Sequence, residues 1–277
     1  MKKITTHAFL LLKVAILLFL APIYGFASTE VMLDDPTPTV VTKAQETSAR
    51  DALDKLQERM DEAWTEYLAP MREAKTAEER DAIELDPEKD PGVMFLPELF
   101  KFSSDHPGTA ACLEALSQVI SMASRDEKNG WILEKGVDRI LVDYIEHPDL
   151  KDLVRFGHYN PPSAQNLLLL RAVADRSPHR SVQGSAFYAL GKLLGSTEET
   201  RAEGKQLLER VQKEFADVLF FRETTYGEKV AGDLFELDHL QVGQVAPEII
   251  GTAIDGNLMQ LSAFRGKVVL LDFWGDW

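Results

Sequence analysis

The amino-acid sequence predicts a mainly α protein, a helical-hairpin, repeat-like region followed by a short and incomplete α/β segment. Three observations carry this reading. Apolar residues recur at three- and four-residue spacing over most of the chain, the period of a helix with one buried face. Pro or Gly stands between these periodic stretches, where a helix must stop. From Val242 the texture changes, and Lys267 to Phe273 is an apolar run of the kind that a strand buried on both faces requires.

The elements follow in order. Lys2 and Lys3 precede an apolar stretch from Ala8 to Tyr24, broken only by Lys13 and followed by the small residues Gly25 and Ala27. This is the layout of a secretory signal cleaved after Ala27, with an uncleaved membrane anchor as the rival reading. Residues 28–43 read as a linker containing Asp34, Asp35, Pro36 and Pro38. The helical region spans 44–240. Leu53, Leu56, Met60, Ala63, Trp64 and Tyr67 make one stripe, Pro70 interrupts it, and Arg72 to Arg80 continues as a second helix. Asp86 to Pro97, with three prolines and Gly92, reads as a loop. Thr109 is placed to cap a helix whose stripe is Cys112, Ala115, Leu116, Val119 and Ala123. Further helices are expected over 130–146, 164–175, 182–194, 200–219 and 228–237. No repeat period assigns the region to a named solenoid. Beyond Val242, a strand over 249–254, a turn at Asp255-Gly256-Asn257 and a returning strand over 258–261 precede the apolar run.

Composition narrows the function. The formal charge is -15, and losing residues 1–27 removes three lysines and no acids, which takes it to about -18. Such a surface repels phosphate backbones and anionic lipid, so no nucleic-acid partner is expected. The single cysteine, Cys112, excludes an internal disulfide framework, and its place on an apolar stripe makes it a buried structural thiol. His106, His147, His158, His179 and His239 lie at no metal-ligand spacing and read as solvated or capping groups. The acidic residues read as solvated outer helix faces. No phosphate-binding Gly loop and no nucleophile elbow is present. Neither metal nor cofactor is expected.

The stretch 242–277 contains Val242-Gly-Gln-Val-Ala-Pro, Asp255-Gly256, Leu261-Ser262, Arg265-Gly266-Lys267 and Val268-Val-Leu-Leu-Asp-Phe-Trp-Gly-Asp-Trp277. In order and spacing it resembles the redoxin family, the thioredoxin-like group that holds the TlpA-type thiol-disulfide oxidoreductases and the alkyl hydroperoxide reductase and thiol-specific antioxidant proteins. The resemblance covers about an eighth of the chain. It implies the opening of a thioredoxin-like domain, in which the aromatic strand end leads into Cys-x-x-Cys at a helix start. There the helix N-terminus stabilises the attacking thiolate, and the second cysteine resolves the mixed disulfide. By this resemblance Asp272 matches the buried acid that moves the proton of the resolving thiol. Trp274 and Trp277 match the aromatic rim of the active site. Asp272 as an ordinary strand-end carboxylate, and the two tryptophans as packing residues, are the plainer alternatives.

The function expected from the resemblance is that of an exported, periplasmic thiol-disulfide oxidoreductase or antioxidant redoxin. Its partners would be a thiol or disulfide protein substrate and a reductant. The sequence stops one residue before the family's first cysteine, so this polypeptide is expected to be inert. A selenocysteine codon, UGA, read as a stop after Trp277 would account for that position. The alternative is a helical partner-binding scaffold with a vestigial redox tail. Residues 242–277, lacking flanking strands, are expected to expose apolar faces.

Overall fold

The computed structural model describes residues 41–124 and 127–273, so the segments read as signal peptide and most of the linker lie outside the described residues. The architecture is mainly α, with two small two-stranded sheets. No helix among the described residues is long and apolar enough to cross a membrane.

The first half packs longer and shorter helices around one seam. Helix α1 (Lys43–Tyr67) starts in a capping box, in which the Thr42 hydroxyl accepts from Gln45 N and Gln45 reaches back to Thr42 N. Its buried face is Ala49, Leu53, Leu56 and Met60, the stripe read from the sequence. The continuation breaks in two, α2 (Ala69–Glu73) and α3 (Ala77–Asp81), because Thr76 caps a new helix on Glu79 N rather than extending the old one. The expected loop at 86–97 holds a 3-10 turn, the short α4 (Pro91–Met94) and the start of α5 (Leu96–Asp105). Its prolines stand at the first turns of helices, where a missing N–H costs nothing. Thr109 caps α6 (Ala110–Ala123) by accepting from Cys112 N at 3.0 Å, as the sequence indicates. Helix α7 (Gly130–Asp143) lies against α6 and α5.

The second half is organised by α10 (Arg180–Gly195), which packs against α8 (Leu150–Arg155), α9 (Ala164–Arg176), α11 (Arg201–Glu214) and α12 (Tyr226–His239). Surrounded in this way, α10 buries Val182, Ala186, Phe187, Tyr188, Leu190 and Leu194 on several faces. It approaches α11 closely because three glycines meet there. A Cβ on Gly204 would lie 2.3 Å from Gly195 N and 2.7 Å from the Gly191 carbonyl, closer than real side chains come. The helix expected to run to 219 ends at Glu214. Phe215 turns inward, and Leu219–Phe221 forms β1, paired antiparallel with β2 (Thr224–Thr225). One hydrophobic core runs from Ala49 to Val230, with Leu234 and Leu237 packed on it, and α6–α8 and α7–α9 contacts join the two halves.

Candidate functional site

The C-terminal segment grows out of α12. That helix begins in a second capping box, Thr225 with Glu228, and buries Tyr226, Val230 and Asp233. A turn just beyond the helix is closed by Gln244, whose N–H donates to the Gln241 carbonyl at 3.0 Å. With its amide oriented to satisfy its neighbours, Gln244 also donates to the carbonyls of Asp238 and His239. The chain then runs extended to Glu248. This carboxylate clasps the segment by accepting from Ile249 N at 3.1 Å and Ser262 N at 3.0 Å. The contacts with Ser262 hold its pKa below the ordinary glutamate value.

The hairpin anticipated from the sequence is present. Strands β3 (Ile250–Thr252) and β4 (Leu258–Gln260) pair antiparallel, with Gly251 opposite Met259. Asp255 shapes the turn by accepting from Asn257 N at 3.0 Å and Asn257 Nδ2 at 2.8 Å, and Gly256 takes φ +82, a region that favours glycine. A 3-10 turn over Leu261–Phe264 and Gly266 at φ +82 lead into the apolar run.

Here the structure bears out the expectation of exposed apolar faces. Residues 267–273 form no ladder with any described residue, and Val268, Leu270 and Phe273 are 104%, 93% and 80% exposed. The physical reason is the one that makes a lone strand untenable: backbone groups and two apolar faces need neighbours on both sides. Asp272 stands exposed in this run. Trp274 and Trp277 lie outside the described residues. Val269 folds back with Val245, Pro247, Glu248, Phe264 and Lys267 around a hollow of about 190 Å³.

Cys112 is remote from this segment in chemistry. It is fully buried in α6, and Sγ donates to the Ser103 carbonyl at 3.4 Å. Burial pushes the thiol above its ordinary pKa, which disfavours the nucleophilic thiolate. Among the described residues no group of His, Cys, Asp and Glu side chains could hold a metal.

A polar cluster in the helical region was not anticipated. Asp233, only 4% exposed, accepts from Lys192 Nζ at 2.9 Å and Lys229 Nζ at 3.2 Å. Burial raises the Asp233 pKa, but the two ammonium groups outweigh it and hold the carboxyl below its ordinary value. His158, expected to be solvated, is instead half-buried beside this cluster, with its ring 4.1 Å from Tyr159 and edge-on to Tyr188. Tyr226 donates to Ser185 Oγ at 2.8 Å, and burial pushes its hydroxyl up to about 12. The sequence held a signal. Lys192 interrupts the apolar stretch Ser185–Gly195, and Asp233 falls on the stripe Tyr226, Val230, Asp233, Leu237. A charge inside an apolar stripe needs a buried partner.

Comparison with known proteins finds short matches. Over 40 residues the chain is 38% identical to proteins named thiol-disulfide oxidoreductase ResA from Bacillus thuringiensis subsp. konkukian (strain 97-27) and Bacillus cereus (strain ATCC 10987 / NRS 248). That match covers 14% of this chain and 23% of each relative. Over 46 residues it is 35% identical to the protein of the same name from Bacillus thuringiensis (strain Al Hakam), covering 17% of this chain and 27% of the relative. The chain therefore spans about a quarter of the length of the curated relatives it matches. No family model matches the chain, and no solved structure matches it. The similarity is to a thioredoxin-like, redoxin type of protein, over a small part of the chain.

Proposed function

We propose that residues 242–277 are the opening of a thioredoxin-like redoxin domain, and that the protein carrying it is an exported thiol-disulfide oxidoreductase. One observation carries this reading. A Glu248-clasped hairpin leads into an apolar run with two unpaired edges, in a chain with 35–38% local identity to proteins of that name. The run fits the first central strand of such a domain, whose remaining strands would cover Val268, Leu270 and Phe273. Thiol-disulfide exchange is favoured over peroxidase chemistry by the aromatic strand end, which leads into a Cys-x-x-Cys helix in the family. In that setting Asp272 carries the proton of the resolving thiol, and Trp274 and Trp277 form the rim. The attacking group is a cysteine or selenocysteine following Trp277. The substrate is a protein thiol or disulfide, with a separate reductant, in a periplasmic compartment that the signal-like N-terminus would reach.

Reading the coding sequence past the Trp277 codon tests this. A cysteine codon, or an in-frame TGA, followed by a helix start with a resolving cysteine supports it. Expression of that longer chain should then give catalysed reduction of insulin disulfides, whereas the chain ending at Trp277 should give none. An ordinary stop with no coding continuation overturns the enzyme reading.

A second reading is a helical scaffold with a vestigial tail. It is favoured by the core, which closes without the segment: no residue of 241–273 belongs to it.

A further inference from the structure

His158 stands in the 3-10 turn Gly157–Tyr159, which packs against α10 and α8. Its ring lies 4.1 Å from Tyr159 at 37° and 5.5 Å from Tyr188 at 86°, and Nδ1 is buried with no hydrogen-bond partner among the described residues. The charged groups facing it come from both helices, Lys192 on α10 and Lys229 and Asp233 on α12. Glu236, also on α12, reaches Lys192 at 3.6 Å. From α8 the Arg155 backbone lies beside the imidazole, while the Arg155 guanidinium is held by Asp152 and the Phe220 carbonyl. Burial pushes the Tyr188 hydroxyl above its ordinary pKa, so it adds no charge there.

A neutral imidazole suits this place. An imidazolium would face two ammonium groups and one carboxylate whose Oδ1 both of them engage, its buried Oδ2 having no hydrogen-bond partner among the described residues. It would also need a partner for the buried Nδ1–H. The strain would fall on the α10–α12 contact, because Lys192 and Asp233 tie those two helices together across it. Helix α12 leads through the Gln244 closure directly into the C-terminal segment.

We infer that His158 is an acid-sensitive latch: neutral, it holds α12 against α10, and its protonation releases α12 together with the segment that α12 carries. The sign follows from linkage. Burial, with Lys192 next, pulls the imidazole from its ordinary 6.5 down to about 4. The unfolded chain therefore takes up this proton more readily than the folded one. The latch is complete above about 6.5 and is lost as pH falls through about 4. Asp233, held below its ordinary value, stays charged over most of that window. The inference stands independently of the redox reading, since it concerns the helical region alone.

Hydrogen exchange of the full chain, corrected for the intrinsic rate at each pH, tests it. Amides of 226–239 should lose protection by about tenfold or more between about pH 7 and pH 4.5, while those of α6 keep theirs. In His158→Phe, which keeps a ring between Tyr159 and Tyr188 but cannot titrate, α12 should stay protected at the lower pH. Equal loss in both proteins, or no loss in the parent, overturns the latch. Should His158→Phe fail to fold, proton NMR of the His158 ring in the parent decides. A ring midpoint coinciding with the opening of α12 supports the latch, and a midpoint outside that range refutes it.

Discussion

Replacing Gly204 by alanine tests how the second half of the protein is built. A Cβ at this position would lie 2.3 Å from Gly195 N, 2.6 Å from Gly195 Cα and 2.7 Å from the Gly191 carbonyl, all backbone atoms that cannot swing aside. Ordinary contact begins near ~3.5 Å, so α11 must withdraw from α10 by about 1 Å. A gap of that size forfeits a quarter to a half of each contact's dispersion energy. Leu208 and Val211, both fully buried on α11, lose part of a burial worth about 2 kcal/mol each. Residual strain adds about 1–3 kcal/mol, and the better helix propensity of alanine returns about 1 kcal/mol. The net expectation is a loss of about 3 kcal/mol, which lowers the melting temperature by roughly 10 °C for a chain of this size. Urea denaturation followed by far-UV circular dichroism measures it. Gly195→Ala is the control: its Cβ would meet only the Leu237 side chain at 3.6 Å, ordinary contact, and stability should change by less than about 0.5 kcal/mol. A Gly204→Ala variant within about 1 kcal/mol of the parent would mean that the helices do not cross this closely.

Other predictions follow from the same geometry. Gly232, exposed inside α12 with nothing near its missing Cβ, should gain about 1 kcal/mol on substitution by alanine, read as a raised urea midpoint. Asp233→Ala strips the buried carboxylate from Lys192 and Lys229 and should cost about 3 kcal/mol, with Asp233→Asn costing less in the same titration. The Arg180 guanidinium beside Asp217 holds that carboxyl down at about 2, so its contribution is present above the ordinary 3.8 and is lost as pH falls through about 2. Acid titration of Arg180→Gln, which should lack this loss, checks the sign. Removing residues 268–277 should lower aggregation measured by light scattering and leave the melting temperature of the helical region unchanged, because none of the described residues among them, 268–273, packs on the core. A lowered melting temperature would contradict that separation.

The sequence by itself determined the mainly α class, the α1 and α6 stripes, the Thr109 cap and the β3–β4 hairpin with its Asp255-Gly256-Asn257 turn. These are local properties: periodicity, capping and turn chemistry act over a few residues and leave their mark in order along the chain. The family resemblance of 242–277 was legible for the same reason, since its motifs are contiguous. Only the tertiary structure decided where α11 stops, because Phe215 is buried against α10 and the chain must turn there. The exposed faces of the apolar run, by contrast, were legible in the sequence, because its composition asks for flanking strands that 242–277 do not contain. The polar cluster is the clearest case of a tertiary decision. Lys192, Asp233 and His158 are separated by 34 to 75 positions, and the side chains become one unit only when α10, α12 and the turn before α9 are brought together. A charge on an apolar stripe announces that a partner exists, while the packing of the helices decides which partner it is.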